Sequence, residues 1–226
     1  MSERPDASAR AFDPDASYPV ILAGPSGAGK TSLRDRLLGR ALAARFLFSV
    51  SMTTRAPREG EEEGSDYRFV DVERFETLAA DGRMLEHAVV HGDLYGTPIA
   101  NLDAAREAGR HLLLDIDVQG ARQVREQVPD VVSIMVLPPS REEMLRRLQG
   151  RGTENDEQLR RRYVSAVSEL EAVGEFDYVV INDVLDHVVE DVRAIIEAEE
   201  HSISRVGEGA LKFANRLKGE IERQMQ

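Results

Sequence analysis

Eight residues near the start of the chain have the types and spacing to grip a polyphosphate: Gly24-Pro25-Ser26-Gly27-Ala28-Gly29-Lys30-Thr31. They fit G-x-x-x-x-G-K-[ST]. Glycines let a backbone curl until successive N–H groups face one anion. A helix that begins at such a turn adds its positive end. Lys30 is placed to reach the β and γ phosphates, and Thr31 to ligate Mg2+. A chance glycine-rich turn would lack the strand before and the helix after that this segment has. The chemistry implied is the binding of a nucleoside triphosphate. The motif does not say what receives the phosphoryl group.

Three other groups could supply the rest. Arg55 and Arg58 lie close together in a loop stiffened by Pro57. Two guanidinium forks there could hold one phosphate, with the Tyr67 hydroxyl as a further donor. Asp115 and Asp117 end an apolar run and, two apart on a strand, point to one face. An acid at such a strand end beside a phosphate loop is a usual magnesium partner. Either aspartate could instead cap the helix expected over 118–127. Arg146, Arg147, Arg151, Arg160, Arg161 and Arg162 crowd one segment. A basic helix face in solvent is the plain alternative for them, above all for Arg160 and Arg161.

These residues need a scaffold. Apolar runs at 19–23, 46–50, 111–116, 131–137 and 178–181 read as buried strands. Helical spacing follows the first, at Leu33, Leu37, Leu38 and Leu42, and helices are expected at 142–149 and 184–202. Strands alternating with helices mean an α/β fold, a parallel sheet covered on both faces. Residues 51–100 differ, with polar loops, short strands at 67–70 and 84–90 and a short helix at 72–80, and read as an insert that covers a site. Residues 1–17 read as a disordered tail. Residues 203–226 read as a helical tail with Phe213, Leu217, Ile221 and Met225 in a narrow stripe, docked on its own domain, frayed, or at a dimer contact.

Composition sets bounds. Of 226 residues, 42% are apolar and 31% charged, with no cysteine. A disulfide scaffold, a thiolate zinc site and a cysteine nucleophile are excluded. No stretch reaches the roughly 20 apolar residues of a membrane helix, and the first 17 lack the apolar core of a secretory signal. A cytoplasmic enzyme is the expectation, with neither membrane nor nucleic acid as partner. The net charge of −12 speaks against a nucleic-acid surface. It leaves anionic small substrates open, because clustered arginines reverse the field locally.

The acceptor region resembles the guanylate kinase family. The signature T-[ST]-R-x-x-[KR]-x-x-[DE]-x-x-G-x-x-Y-x-[FY] plus an apolar residue is met by Thr53, Thr54, Arg55, Arg58, Glu61, Gly64, Tyr67, Phe69 and Val70. The resemblance runs from about Tyr18 to about Glu200. It implies a domain over 18–202, with a P-loop NTPase-type core (18–50 and 98–202), a GMP-binding insert (51–97) and an Arg-rich lid at about 146–165. By the resemblance, Arg55, Arg58, Tyr67 and Tyr95 hold the GMP phosphate, and Ser51, Glu86 and Thr97 face guanine. Glu86 suits that role chemically, since guanine offers N1–H and N2–H2 as adjacent donors and adenine does not. Asp115-Ile116-Asp117 with Gln119 and Gly120 matches D-[IL]-D-x-Q-G, which implies Asp115 on the metal side and Asp117 on the guanine side. Arg147, Arg151 and Arg162 match the lid. Asn182-Asp183 matches the N-D after the last strand, Asn182 contacting adenine or capping the next helix.

The reaction implied is ATP + GMP giving ADP + GDP, with Mg2+ carried on ATP and dGMP as a further acceptor. The GMP phosphate is already ionised near neutral pH, so no general base is needed, and His87 and His91 read as bystanders. Catalysis would be alignment and charge neutralisation by Lys30, the metal and the lid arginines. A kinase of the same fold for another acceptor, and a scaffold domain that binds peptides, are the rivals. The second would be expected to have lost the phosphate loop.

Overall fold

Neighbouring residues of one short strand face opposite cores, and the architecture follows from that. The computed structural model describes residues 17–39, 42–58, 60–90, 92–149 and 156–225. In chain order the first elements are β1 (Pro19–Ala23), α1 (Lys30–Leu38), β2 (Phe46–Phe48), β3 (Met52–Thr53), β4 (Arg68–Phe69) and α2 (Val72–Ala80). Next come β5 (Met84–Val90), β6 (Asp93–Pro98), α3 (Ile99–Glu107), β7 (His111–Asp115), α4 (Val118–Gln127) and β8 (Val132–Leu137). The chain continues with α5 (Arg141–Gln149), α6 (Asp156–Glu171), a 3-10 turn at Ala172–Glu175, β9 (Tyr178–Ile181), α7 (Leu185–Glu200) and α8 (Ile203–Gln224).

The main sheet has five parallel strands in the order β2-β7-β1-β8-β9. Val20 and Leu22 of β1 pack on one face with Leu33 and Leu37 of α1 and Val188, Val192 and Ile196 of α7. Ile21 and Ala23 pack on the other with Leu102 and Ala105 of α3 and Ala121 and Val124 of α4. A strand buried on both faces must be apolar throughout, which is why β1 reads Pro-Val-Ile-Leu-Ala rather than alternating. The α/β reading of the sequence is the observed fold. In the register of β1 and β7, Leu22 lies opposite Asp115. The acid is thereby fixed beside the turn that follows β1.

The second sheet has four strands in the order β4-β3-β6-β5. Its small core is Met52, Phe75 and Met84, with Phe75 of α2 fully buried. A β-bulge interrupts the β5–β6 pairing between Met84 and Glu86. Helix α3 is not marked by the sequence pattern, because its buried positions are Asn101, Leu102 and Ala105 amid charged residues. Asn101 is held by its amide, which donates to Ser49 Oγ at 2.9 Å and Val50 O at 3.0 Å.

Helix α8 begins against the domain. The Arg205 guanidinium lies 3.8 Å from the centre of the Tyr18 ring and donates to Glu199 at 2.8 Å. Leu217, Ile221 and Met225 further along are exposed. No helix among the described residues is long and apolar enough to cross a membrane. Residues 1–16 of the expected tail lie outside the described residues.

Candidate active site

The phosphate loop leaves β1 at Gly24 and enters α1 at Lys30. Gly24 has φ 145°, and a Cβ there would stand 2.2 Å from Val136 O of the neighbouring strand β8. Gly29 is left-handed at φ 86° and caps α1 without a side-chain hydrogen bond. No side chain of the cap therefore competes for the first N–H groups of α1, as an anion site at a helix start requires. Lys30 Nζ reaches back across the loop to Gly24 O at 2.5 Å. Pro25, Ser26, Gly27, Gly29, Lys30, Thr31, Asp115 and Arg147 line one cleft.

The loop is braced from behind. Asn182 is buried, and its Nδ2 donates to Ala28 O at 2.7 Å. A Cβ at Gly29 would come within 2.4 Å of that Nδ2. Of the two roles considered for Asn182, capping does not occur, since α7 is capped at Val184. Arg147 of α5 donates to Ala28 O and to Asn182 O, each at 3.2 Å, and to Glu143 at 2.6 Å. Arg146 and Arg147 together hold the Glu143 carboxyl down to about 2. Arg147 thus joins α5 to the loop, whereas Arg160 is exposed on α6. Arg151 and His91 lie outside the described residues, as does the side chain of Arg162.

Of the expected acceptor residues, Glu86, Tyr95 and Thr97 lie on the second sheet, and Ser51, Arg55 and Arg58 flank its strand β3. Thr97 lies opposite Glu86 in the register of β5 and β6. Its hydroxyl donates to Glu86 Oε1 at 2.6 Å and lies 3.3 Å from Ser51 Oγ. Glu86 is 7% exposed. Burial, helped by the nearby charge of Asp117, pushes its carboxyl up to about 7, against the pull of the Thr97 hydroxyl. Asp117 caps α4 by accepting Gly120 N–H at 2.8 Å. It therefore performs the capping role, and its charge reaches Glu86.

Thr53 lies opposite Tyr95 in the pairing of β3 with β6, which brings the following Arg55 to the tyrosine. Arg55 Nε donates to Tyr95 Oη at 3.0 Å, and the guanidinium lies 5.5 Å from the centre of the Tyr67 ring. The Tyr67 and Tyr95 rings meet edge to face at 5.8 Å. Burial raises the Tyr67 hydroxyl pKa, and the charge of Asp115 acts in the same sense. Asp115 thus lines the phosphate-loop cleft, and its charge also reaches Tyr67. Arg58 is exposed.

Two carboxylates escape a reading of the sequence by residue type. Glu61 takes both terminal nitrogens of Arg55, at 2.9 and 2.8 Å, and accepts Arg58 N–H at 2.8 Å. These bonds hold it near 2 and fix the Arg55 fork. Its place in the signature was the available signal. Glu169 of α6 accepts from Ser165 at 2.9 Å. Burial raises its pKa, while Lys30 and the Ser26 N–H draw it back. A lone glutamate in a charged helix carries no sequence signal of that contact.

Comparisons with known proteins place the chain in a family. A family model described as guanylate kinase matches residues 16–199. The guanylate kinase of Alkalilimnicola ehrlichii is 47% identical over 185 residues, covering 82% of this chain and 90% of the relative. That of Rhodospirillum rubrum is 44% identical over 213 residues, covering 94% and 96%. The crystal structure of guanylate kinase from Anaplasma phagocytophilum superposes with a TM-score of 0.67 at 33% identity, covering 86% of this chain and 92% of that one. The matched span holds both the phosphate loop and the Arg55–Glu86 surface, and the chain belongs to the guanylate kinase family.

Proposed function

We propose that the two surfaces divide the family's reaction, ATP + GMP giving ADP + GDP, between them. The Gly24–Thr31 loop holds the ATP phosphates on its N–H groups, and Lys30 turns from Gly24 O to the β and γ oxygens. Arg55, Arg58, Tyr67 and Tyr95 hold the GMP phosphate. Glu86, Ser51, Thr97 and Asp117 read guanine. Asn182 and Arg147 keep the loop in shape, and Arg147, with Arg151 and Arg162, supplies positive charge around the transferring group. The observation that carries this reading is the buried Glu86 carboxyl beside Thr97 and Ser51, on the same sheet as Tyr95, to which Arg55 donates.

The donor set fits magnesium. Thr31 and Asp115 line the same cleft and offer oxygen donors. No group of three or more acidic, histidine or cysteine side chains that could hold a metal occurs among the described residues. That suits an ion held largely by phosphates and water. When bound with ATP, Mg2+ neutralises charge on the β and γ phosphates. The protein's part is alignment: a phosphate oxygen of GMP is ionised near neutral pH and needs no base. Arg55 is already oriented by Glu61 and Tyr95, so little side-chain entropy is lost when phosphate arrives. A cytoplasmic setting, where both nucleotides are at hand, suits this role.

The test is selectivity in Glu86→Ala. Preference for GMP over AMP should fall by about a hundredfold or more, the scale of a lost charged hydrogen-bond pair, while ATP binding persists. Unchanged AMP discrimination would remove Glu86 from the guanine site.

A further inference from the structure

One face of α4 is fastened to β5 around Glu86. Gln123 Oε1 accepts the His87 N–H at 3.0 Å, and its Nε2 donates to His87 O at 3.0 Å. Gln127 Nε2 donates to Leu85 O at 3.0 Å and to Met84 O at 3.3 Å. Both residues that flank Glu86 are therefore pinned through their main chain by side chains of a helix. β5 is the edge strand of its sheet, so these amides satisfy groups that no further strand reaches. The bonds of Gln127 fall on the bulge between Met84 and Glu86. A bulge re-aims the side chain beside it, and holding the bulge holds that aim.

Gly120 completes the face. A Cβ there would lie 3.1 Å from Glu86 Oε2 and 3.3 Å from its Cδ. The Glu86 carboxyl occupies the space a side chain would take. Asp117, Gly120, Gln123 and Gln127 follow one another at three, three and four residues, a single helical stripe.

We propose that this stripe of α4 is a template that positions Glu86, with Gly120, Gln123 and Gln127 as specificity-determining positioning residues. The proposal rests on the reading of Glu86 as the guanine-facing group. It assigns guanine selectivity to the joint between the two sheets, because α4 starts after β7 of the main sheet and grips β5 of the second.

Gly120→Ala is the sharpest test. Alanine favours a helix over glycine, so the fold is not put at risk, while the added methyl moves the Glu86 carboxyl by a few tenths of an ångström. The melting temperature should hold or rise while the KM for GMP rises about tenfold, with kcat and the KM for ATP within about twofold. The preference for GMP over IMP, which lacks the N2 amine, should shrink by a similar factor. Gln123→Leu should act in the same direction, and Glu126→Ala, on the exposed side of α4, should match the unaltered protein. A GMP:IMP preference unchanged in both Gly120→Ala and Gln123→Leu overturns the template, as does a loss in which kcat and both KM values move together. Glu86→Gln separates the two claims. If it loses the GMP:IMP preference while the α4 variants keep it, only the template fails; if it too keeps the preference, the guanine reading fails.

Discussion

Glu86 is buried with the Thr97 hydroxyl as its side-chain partner, and burial pushes its carboxyl up to about 7 from the ordinary 4.5. On the proposed reading, guanine's two donors bind the ionised form. GMP binding must then expel a proton at and below neutral pH, and affinity should weaken about tenfold for each pH unit below that value. Titration calorimetry in buffers of different ionisation enthalpy measures the proton directly; no release at pH 6 would contradict the assignment. Stability in the absence of GMP has the opposite sense. Between about 4.5 and 7 the folded protein holds a proton that the unfolded chain has lost, so this group's contribution is full below the window and declines as pH rises through it. Lys30→Ala should lower turnover by about a thousandfold or more through lost charge stabilisation, and a folded variant with normal turnover would remove Lys30 from the mechanism. Roles that depend on residue type were legible in the sequence, as with Lys30 in its motif. Roles that depend on a neighbour far along the chain were not. Asn182 bracing Ala28 is 154 residues from its partner; the N-D pair singles the residue out, but nothing local shows that contact.

At the scale of elements, the loop works because β1, β8 and the turn after β9 meet at its back. Gly24→Ala would drive a methyl into Val136 O, closer than any contact can stand. It should abolish ATP binding in a protein whose melting temperature also falls, and tight ATP binding by that variant would contradict the loop geometry. The second sheet is held by a core of Met52, Phe75 and Met84 with few other buried residues. Phe75→Ala should cost about 3–5 kcal/mol in the stability of that sheet. Hydrogen exchange should show β5 and β6 opening while β1 and β7 stay protected; uniform loss of protection would contradict a separate cooperative unit. The central strands were readable because burial on both faces leaves an apolar run with no other explanation. Helix α3 was not, because its buried Asn101 is satisfied by Ser49 and Val50 and looks polar in sequence.

Across the whole molecule, a chain of net charge −12 brings two anionic substrates together. On the proposed reading it does so by local reversal of the field: Lys30 and Arg147 at one cleft, and Arg55 and Arg58 in the loop after β3. Asp115 lies between them, at the end of a central strand, where its charge reaches both Tyr67 and the phosphate cleft. The order of strands is what makes that possible, since β7 sits beside β1 and α4 follows it directly to β5 of the second sheet. The most direct test of this account is ADP release from ATP and Mg2+ with GMP, AMP, CMP, UMP or no acceptor. Rapid release with GMP, and near-background release with each of the others, is the outcome expected. Equal turnover with AMP, or release that needs no acceptor, would contradict it.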